Sequence, residues 1–352
     1  MRRRADIRLT PVQRAVDSIA LATTPMNRMQ RSHALPTLAL ALALALSPTD
    51  LHAQSTPPAA GPALTPVSSD RPALTPVSSD RPALTPGNGK LLLTGGVSSI
   101  DGAAGGGLTP WAMVGSYANV GEFGGTAFIT HVTTQNFTLT TWGAAAGFDD
   151  RFELSLARQE FNASVVVPDT TLKLDIVGIK LRVAGDAVLE ADTLTPQVAI
   201  GAEFKRVSPG PAVGAVLDSV AAKRGGVDLY ASATKLFLAP GLLVNGTLRA
   251  TKANQNGLLG FSSSRHAGYQ LEPELSVAWL LRRHLALGAE YRFKPNNLAF
   301  AGAAFTEDDW KDLFIAWAPT KNVSVTAAIV DLGNIVGHAR QTGGYLSAQL
   351  AY

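Results

Sequence analysis

The stretch GGYLSAQLAY, residues 343–352, shows the residue pattern that predicts the fold of the rest of the chain. Every second residue in it is apolar or has no side chain. That set is Gly344, Leu346, Ala348, Leu350 and Tyr352, and the residues between them are Tyr345, Ser347, Gln349 and Ala351, two of which are polar. A period of two residues is typical of a β-strand with two different faces. The stretch therefore predicts a strand with one apolar face and one polar face.

The same period of two runs back through the chain to Lys90, and no stretch shows a sustained helical period of 3.6. About fourteen strands fit this pattern. They are 90–97, 111–118, 126–134, 137–147, 151–159, 171–183, 195–207, 227–238, 242–252, 270–281, 285–294, 310–318, 323–331 and 343–352. The alternative is twelve strands, with the first pair placed inside the lumen of a barrel. Both counts are even, so both put the two chain ends on the same side.

The connections between these strands distinguish a soluble sandwich from a transmembrane barrel. Over the C-terminal half they alternate between short turns, such as 282–284 and 319–322, and long loops, such as 253–269 and 295–309. Outer-membrane barrels have short turns on the periplasmic side and longer loops outside. The fold class predicted is therefore all-β, a transmembrane antiparallel up-and-down β-barrel in which the apolar face contacts lipid.

Aromatic residues near the predicted strand ends support a membrane barrel, because such barrels carry aromatic girdles at both interfaces. Phe148, Phe152, Phe237, Trp317 and Tyr352 lie beside short turns, whereas Phe161, Phe204, Tyr269, Tyr291, Phe293, Trp310 and Tyr345 lie near the other strand ends. One strand departs from the alternation. In TLKLDIVGIKLRV, residues 171–183, the apolar phase shifts beside Gly178, which predicts a β-bulge there.

The N-terminal region has the features of a secretory signal peptide. Arg28 and Arg31 precede an apolar core at 38–46, and a polar break leads to a cleavage site after Ala53. Residues 1–53 are therefore assigned as the signal peptide, with an upstream start codon chosen in error as one explanation of its length. They hold seven of the 30 basic and three of the 27 acidic residues, so the mature chain has a net charge of about −1. This charge gives no reason to expect nucleic-acid binding.

Residues 54–89 are rich in Pro and Ser and repeat the unit ALTPVSSDRP at 63–72 and 73–82. Such a repeat cannot bury a core and predicts a disordered linker. The domain organisation expected is thus a signal peptide at 1–53, a linker at 54–89 and a barrel at 90–352. The expected location is the outer membrane of a Gram-negative bacterium, with membrane lipid as the surrounding partner.

The final strand resembles the C-terminal assembly signal of bacterial outer-membrane barrels, with Leu346, Leu350 and Tyr352 at the apolar and terminal aromatic positions. This resemblance implies recognition by the barrel-assembly machinery during biogenesis. More narrowly, GGVSSIDGAAGGGLTPWA at 95–112, GGTAF at 124–128 and DDRFELSLARQ at 149–159 resemble domain-of-unknown-function family 3034 (DUF3034), proteobacterial proteins presumed to form outer-membrane barrels. The resemblance extends from about Leu91 to Tyr352. It implies fold and location and carries no assigned activity.

Catalytic chemistry finds little support in the sequence. The chain has no cysteine, and no His, Asp and Glu residues have metal-ligand spacing, so we expect no metal and no cofactor. The glycine-rich GAAGGG at 102–107 precedes a predicted strand instead of the helix that a phosphate-binding loop requires, and is expected to be a flexible loop or a segment in the lumen. His131, which alternation assigns to the lumen, has no orienting partner that spacing identifies. We therefore expect no enzymatic activity and no catalytic residues.

Charged residues on the predicted polar faces are expected to line the lumen, since charges facing lipid are costly near the membrane centre. The set is Glu153, Lys173, Asp175, Glu203, Lys205, Asp228, Arg249, Glu272, Glu274, Glu290, Arg292 and Lys294. The strongest lumen candidates are Glu203, Arg249, Glu272, Glu274, Glu290 and Arg292. Because the signs are mixed, salt bridges between strands and a weakly selective pore remain alternatives.

The function expected from these features is passive passage of small solutes through a porin-like barrel that is monomeric or weakly associating. The first alternative is a transporter of hydrophobic compounds in which residues 95–110 act as a hatch. A lumen-sited enzyme and a structural or surface-binding barrel are the alternatives from other classes. The sequence does not name a substrate or fix the oligomeric state.

Overall fold

The computed structural model describes residues 84–87, 89–188 and 193–352. The signal peptide, its cleavage site after Ala53 and the repeat linker as far as residue 83 lie outside the described residues. Within the described part, no helix has both the length and the apolar character needed to cross a membrane.

Twelve long strands make up most of the described chain, preceded by three two-residue strands. The short ones are β1 (Thr85–Pro86), β2 (Val97–Ser98) and β3 (Ala104–Gly105). The long ones are β4 (Glu122–Thr134), β5 (Thr138–Phe148), β6 (Phe152–Asn162), β7 (Thr171–Ala184), β8 (Gln197–Ser208), β9 (Gly225–Phe237), β10 (Leu242–Thr251), β11 (Gln270–Arg282), β12 (Leu285–Arg292), β13 (Trp310–Trp317), β14 (Val323–Asp331) and β15 (Thr342–Ala351).

The sheet formed by β4 to β15 closes on itself. Each strand pairs antiparallel with its neighbour in sequence, and β15 pairs with β4 from Gly343 opposite Thr134 to Ala351 opposite Thr126. The fold is therefore a closed twelve-stranded antiparallel barrel, to which β1 adds one short parallel pairing beside β4. The alternative of twelve strands is confirmed, and the count of fourteen is wrong because residues 90–97 and 111–118 do not join the wall.

The outer face of the barrel is apolar, as contact with lipid requires. On β15, Leu346 and Leu350 are 57% and 62% exposed, whereas Ser347 and Gln349 between them are buried. The same alternation places large apolar side chains outward on most of the other strands. These include Ile129, Trp142, Leu156, Ile179, Ile200, Val244, Leu275, Trp279, Leu313 and Trp317. A closed barrel with such an exterior is the architecture of outer-membrane proteins.

The aromatic girdles are only partly as predicted. Phe152, Trp317 and Tyr352 are exposed at the end with short turns, hereafter the turn end, and Phe204 and Tyr269 are exposed at the opposite end, hereafter the loop end. The assignment of three further rings to the outer girdle is wrong. Phe161, Trp310 and Tyr345 are all buried and face inward, where they pack against the loops.

The predicted bulge at Gly178 is also wrong. Strands β6 and β7 pair without a break from Asn162 opposite Thr171 to Phe152 opposite Leu181, and the irregularity between β7 and β8 lies further on, at Arg182 to Ala184. The apolar phase shifts because the environment changes. Near the loop end Leu172, Leu174 and Ile176 point into an apolar interior, and nearer the turn end Val177, Ile179 and Leu181 point outward.

Loops at one end fold over the barrel mouth. The first holds the helix α1 (Gly210–Ser219), and the later ones hold short 3₁₀ turns at Gln255–Gly257, Ala299–Ala301 and Ala303–Phe305. Helix α1 buries Val213 and Leu217, and the loop after β10 buries Leu258, Leu259 and Phe261. These residues form one apolar cluster with the inward side chains of β5, β6 and β7.

The segment before β4 runs through the inside of the barrel. Residues 90–118, hereafter the lumen segment, begin at the turn end, where Lys90 forms an ion pair with Asp150 at 2.5 Å. The segment reaches inward, reverses around the β2–β3 pairing, and returns to β4. Nearly all of its residues from 92 onward are buried. The described interior is therefore filled by protein.

Candidate functional site in the barrel lumen

Seven charged side chains meet in the middle of the lumen. This central charge cluster consists of Asp101 from the lumen segment and Glu203, Lys205, Asp228, Arg249, Glu274 and Arg292 from the wall. Each of the seven is no more than 2% exposed. The wall members come from β8, β9, β10, β11 and β12, because alternation turns the same face of neighbouring strands inward. With four acidic and three basic groups, the cluster is close to neutral.

Arg249 is the centre of the wall part of the cluster. Its Nη1 donates to Glu203 Oε2 at 2.7 Å and its Nε donates to Glu274 Oε1 at 2.6 Å. Glu274 Oε1 also lies 3.1 Å from Arg292 Nε, and Lys205 Nζ lies 3.0 Å from Asp228 Oδ2. Buried charges are tolerated when they are paired and hydrogen-bonded in this way.

Asp101 connects the lumen segment to this cluster. Arg292 Nη1 donates to Asp101 Oδ2 at 2.8 Å, and Lys205 Nζ lies 3.4 Å from Asp101 Oδ1. Asn256 Nδ2, from the loop after β10, donates to Asp101 Oδ1 at 2.8 Å. Burial alone would raise the pKa of Asp101, but Lys205, Arg292 and Arg249 outweigh it and hold that pKa well below its usual range. Asp101 is therefore ionised and binds wall and loop together.

Glu290 holds the lumen segment at a second point. Its Oε2 accepts from Leu108 N–H at 2.6 Å, and its Oε1 accepts from Thr109 Oγ1 at 2.6 Å and from Ser276 Oγ at 2.7 Å. Gly106 lies against the same carboxylate, and a Cβ on Gly106 would come within 2.1 Å of Glu290 Oε1. The glycine-rich stretch thus allows the lumen segment to approach the wall closely.

Lys180 and Glu153 hold the segment nearer the turn end. Lys180 Nζ donates to the carbonyl oxygens of Ala104 and Met113, both at 2.8 Å, and lies 3.1 Å from Glu153 Oε2. Glu153 in turn accepts from the backbone N–H groups of Ala104 at 3.1 Å and Gly115 at 2.7 Å. Both side chains are about 1% exposed. One ion pair therefore holds both β3 and the returning part of the lumen segment at 113–115.

Uncharged residues of the wall also form hydrogen bonds with the lumen segment. Pro110 C=O accepts from Thr247 Oγ1 at 2.8 Å, Trp111 Nε1 donates to Ser276 Oγ at 3.0 Å, and Ser98 Oγ donates to Gln349 Oε1 at 2.8 Å. All the wall contacts described here are made through side chains of the wall. Strand pairing of the lumen segment occurs within the segment itself, between β2 and β3.

The sequence candidates separate into three groups in the structure. Glu203, Arg249, Glu274 and Arg292 meet in the central charge cluster, and Glu290 holds the lumen segment beside it. Glu272 faces inward near the loop end of β11, is only partly buried and lies outside the cluster.

The lumen assignment is wrong for two charged residues. Lys173 and Asp175 point outward at the loop end of β7, where Arg158 Nε lies 2.6 Å from Asp175 Oδ1 and Lys173 Nζ lies 3.6 Å from Glu160 Oε1. The alternation was assigned with the apolar face outward along the whole strand. At the loop end the inner side is apolar, so the polar set faces out.

His131 also points outward, so its lumen assignment is wrong. Its Nδ1 lies 2.9 Å from Thr140 Oγ1 and its Nε2 lies 3.1 Å from Thr133 Oγ1, on the exposed surface near the loop end of β4. Hydrolysis by a nucleophile and a His base also needs hydrogen-bond donors that stabilise the negatively charged oxygen of the reaction intermediate. Strand β4 is paired with β5 and β15 on both sides at His131, so its backbone donors there are used in the sheet. Among the described residues no three His, Asp or Glu side chains form a candidate metal site.

A second feature of the lumen is an apolar cavity of about 90 Å³ beneath the loops. It lies within the apolar cluster that joins α1, the loops and the inner faces of β5 to β7. Trp310, at the loop end of β13, is part of its lining. The same cluster continues to Ile100 and Leu108 of the lumen segment. The cavity therefore lies on the loop side of the segment, with continuous apolar packing between them.

Sequence reasoning missed Asp101 and Lys180. Asp101 belongs to the stretch assigned to strand ends and glycine-rich loop, and nothing in its neighbourhood marks it as the partner of three distant cations. Lys180 was hidden by the supposed phase shift at Gly178. Continued alternation from Ile179 and Leu181, both outward, would have placed Lys180 inward.

Several solved barrels resemble this fold. A KdgM porin in complex with disordered oligogalacturonate is 11% identical, with a TM-score of 0.43 over 64% of this chain and 99% of its own. The outer membrane protein Omp33 of Acinetobacter baumannii is 10% identical, with a TM-score of 0.38 over 65% and 97%. The outer membrane phospholipase A of Escherichia coli is 12% identical, with a TM-score of 0.38 over 67% and 94%.

No curated protein sequence matches the chain. A family model described as "Protein of unknown function (DUF3034)" matches residues 94–349, which include most of the lumen segment and all twelve wall strands apart from the last two residues of β15. This match agrees with the motifs at 95–112, 124–128 and 149–159. The chain therefore belongs to the DUF3034 family.

Proposed function

We propose that this protein is a gated channel of the outer membrane in which the lumen segment is the gate. The observation that carries the proposal is how residues 90–118 are held. They fill the described interior, yet they bind the wall through side chains and share no strand pairing with β5 to β14. The wall closes without them, through the nine residue pairs between β15 and β4. The segment can therefore leave its position without opening the barrel.

A gate is favoured over a permanently open pore by the packing of the interior. Inward side chains such as Glu203, Arg249, Glu274 and Ser276 are 0 or 1% exposed, so water does not reach them in this state. Release exposes both partners of each of these hydrogen bonds to water, which can replace the bond that is lost. Passive passage of small solutes then requires movement of the segment. Localisation in a Gram-negative outer membrane, cleavage after Ala53 and recognition of Leu346, Leu350 and Tyr352 by the assembly machinery remain predictions.

A disulfide between the gate and the wall tests the proposal, because the chain has no cysteine of its own. Thr109 Oγ1 and Ser276 Oγ lie 2.5 Å apart, so the double variant Thr109→Cys/Ser276→Cys places two sulfurs close to bonding distance. The matched control is Thr130→Cys/Ser347→Cys, whose hydroxyls lie 2.8 Å apart on the paired wall strands β4 and β15. Conductance of each refolded protein is measured in planar bilayers before and after reduction.

The reduced gate variant, the control and the wild type should show discrete open levels. Oxidation should suppress openings of the gate variant at least tenfold and leave the control unchanged. Equal conductance of the oxidised and reduced gate variant would show that the segment is not the gate. Silence of every protein under both conditions would overturn the channel itself.

A further inference from the structure

We infer that the apolar cavity beneath the loops is a binding site for a small apolar compound that carries one hydrogen-bond acceptor oxygen, such as a ketone. Calling this compound the transported solute rests on the proposed channel, whereas its binding can be measured without transport. Three features of the molecule support this site: the lining of the cavity, one unpaired donor and the position of the cavity above the lumen segment.

The lining of the cavity is almost entirely hydrocarbon. Phe137 and Phe161 stack with ring centroids 5.2 Å apart on one side, and Leu172, Val213 and Leu259 contribute aliphatic surface from β7, α1 and the loop after β10. An apolar cavity of this kind does not hold water well and accepts apolar ligands. Burial of such a ligand is favoured by the hydrophobic effect.

Trp310 supplies the donor that is free to bind a ligand, since Gln255, the other polar side chain of the lining, already donates from its Nε2 to Asn334 C=O at 3.1 Å. The side chain of Trp310 is 5% exposed and lines the cavity, and its indole Nε1–H has no hydrogen-bond partner among the described residues. Buried indole donors are normally paired, since an unpaired buried donor costs about 1–3 kcal/mol. The charges near the ring do not use this donor, because Lys294 Nζ lies 4.1 Å from the ring centroid and is itself a cation. An acceptor on a ligand would satisfy it.

The volume limits the size of the ligand. A cavity of about 90 Å³ is smaller than the roughly 150 Å³ cavity that accommodates benzene in another protein. A compound of about four or five carbons therefore suits the site as it stands. A charged ligand does not suit it, because the lining offers no counter-charge at the apolar wall and an unpaired buried charge is costly.

The position of the site relates it to passage through the barrel. Ile100 and Leu108 of the lumen segment belong to the same apolar cluster as the cavity lining. A compound bound beneath the loops thus contacts apolar side chains whose cluster extends to Ile100 and Leu108 at the inner tip of the lumen segment. Loop-side binding and gate movement are therefore connected by side chains in direct contact.

The indole N–H signals of the ¹⁵N-labelled full-length mature protein in detergent micelles test the site. The chain has five tryptophans, and the Trp310 signal is assigned by its loss in Trp310→Phe. Cyclopentanone and methylenecyclopentane are the probes, since they match in shape and only the ketone accepts a hydrogen bond. Trp142, Trp279 and Trp317 face the micelle and report partition of both probes into it, and Trp111 is already bonded to Ser276.

Cyclopentanone should shift the Trp310 proton downfield with saturation, and methylenecyclopentane should bind about fivefold more weakly without that downfield shift. Ala163 follows the last residue of β6 and lines the cavity, so Ala163→Leu should fill part of its volume. This variant should abolish both responses at Trp310 while the micelle-facing signals respond as before. Equal responses to the two probes, or a Trp310 signal that neither probe changes, would overturn the inference. Because no step depends on conductance, failure of the gate experiment and failure of this site are separate results.

Discussion

At the residue scale, the central charge cluster depends on one side chain that does not belong to the wall. Asp101 faces Lys205, Arg249 and Arg292, and without it those three cations would face three wall carboxylates across a gap. Removing one partner of a buried ion pair leaves uncompensated charge and costs about 3–5 kcal/mol. Asp101 is therefore the residue whose charge contributes most to keeping the lumen segment in place.

The variant Asp101→Asn should raise the open fraction in planar bilayers at least tenfold, because it removes the charge and keeps the shape. Asp175→Asn is the matched control, since Asp175 pairs with Arg158 on the exposed surface, where solvent screening leaves such pairs little effect on stability. An open fraction for Asp101→Asn equal to that of the control would contradict the role given to Asp101.

Strong acid should destabilise the closed state as Asp101→Asn does, because protonation also removes the negative charge of Asp101. The pKa of Asp101 is depressed in the folded state, so its stabilising contribution is complete above the pKa of about 3.9 of an unfolded aspartate. The contribution is lost only as the pH falls below that value toward the folded pKa. The contribution of Asp101 to the closed state should therefore stay constant from pH 5 to pH 8.

At the scale of the element, the inner tip of the lumen segment, residues 100–108, is shaped by glycines at points of close approach. Gly106 presses against Glu290, and Gly102 adopts a φ of +94°, where a side chain is strained. This explains why GAAGGG neither pairs with the wall nor opens a helix. The stretch serves as the inner end of a hairpin that fits between charged side chains.

Gly106→Ala should displace the hairpin tip, because the new methyl group would overlap the Glu290 carboxylate that holds Leu108 and Thr109. We expect a higher open fraction in planar bilayers, by about an order of magnitude for a loss near 1.4 kcal/mol. Gly268→Ala is the control, since a Cβ at Gly268 meets nothing within 4 Å. A variant at Gly106 that behaves as the control would show that the hairpin tip does not need this close contact.

At the scale of the whole molecule, closure and filling of the barrel are separate. Closure depends on β15 and β4, and filling depends on the lumen segment and the loops. A chain that lacks residues 90–118 should therefore still fold, with its β-sheet content by circular dichroism and its heat-dependent electrophoretic mobility retained. Its conductance should be large and weakly cation-selective, since the wall would keep three acidic and three basic charges of the cluster, the Glu153–Lys180 ion pair and the carboxylate of Glu290.

Loss of the folded band in that deletion would show that the segment is needed for closure, whereas a folded but silent barrel would show that the loops alone close it. The Thr130→Cys/Ser347→Cys pair, oxidised in the deleted chain, serves as the control because it fixes closure covalently. A folded and conducting barrel in both forms is the expected result.

The sequence by itself located each of the twelve wall strands, including the last, because a period of two residues follows directly from the pleat of a strand, but it also counted two strands at 90–97 and 111–118 that are not in the wall. It did not determine which face points inward at every depth. Lys173, Asp175 and His131 were placed inside because alternation defines two faces and gives no sign of what fills the interior.

Only the tertiary structure decided that residues 90–118 leave the wall and occupy the lumen. Their glycines and short apolar runs are compatible with a strand. They are excluded from the wall because β15 and β4 pair with each other and leave no free strand edge. The meeting of Asp101 with cations from β8, β10 and β12 was equally beyond the sequence, since it joins residues more than a hundred positions apart. Local periodicity fixes the strands, whereas closure and the packing of the interior depend on contacts that exist only after the sheet has curled.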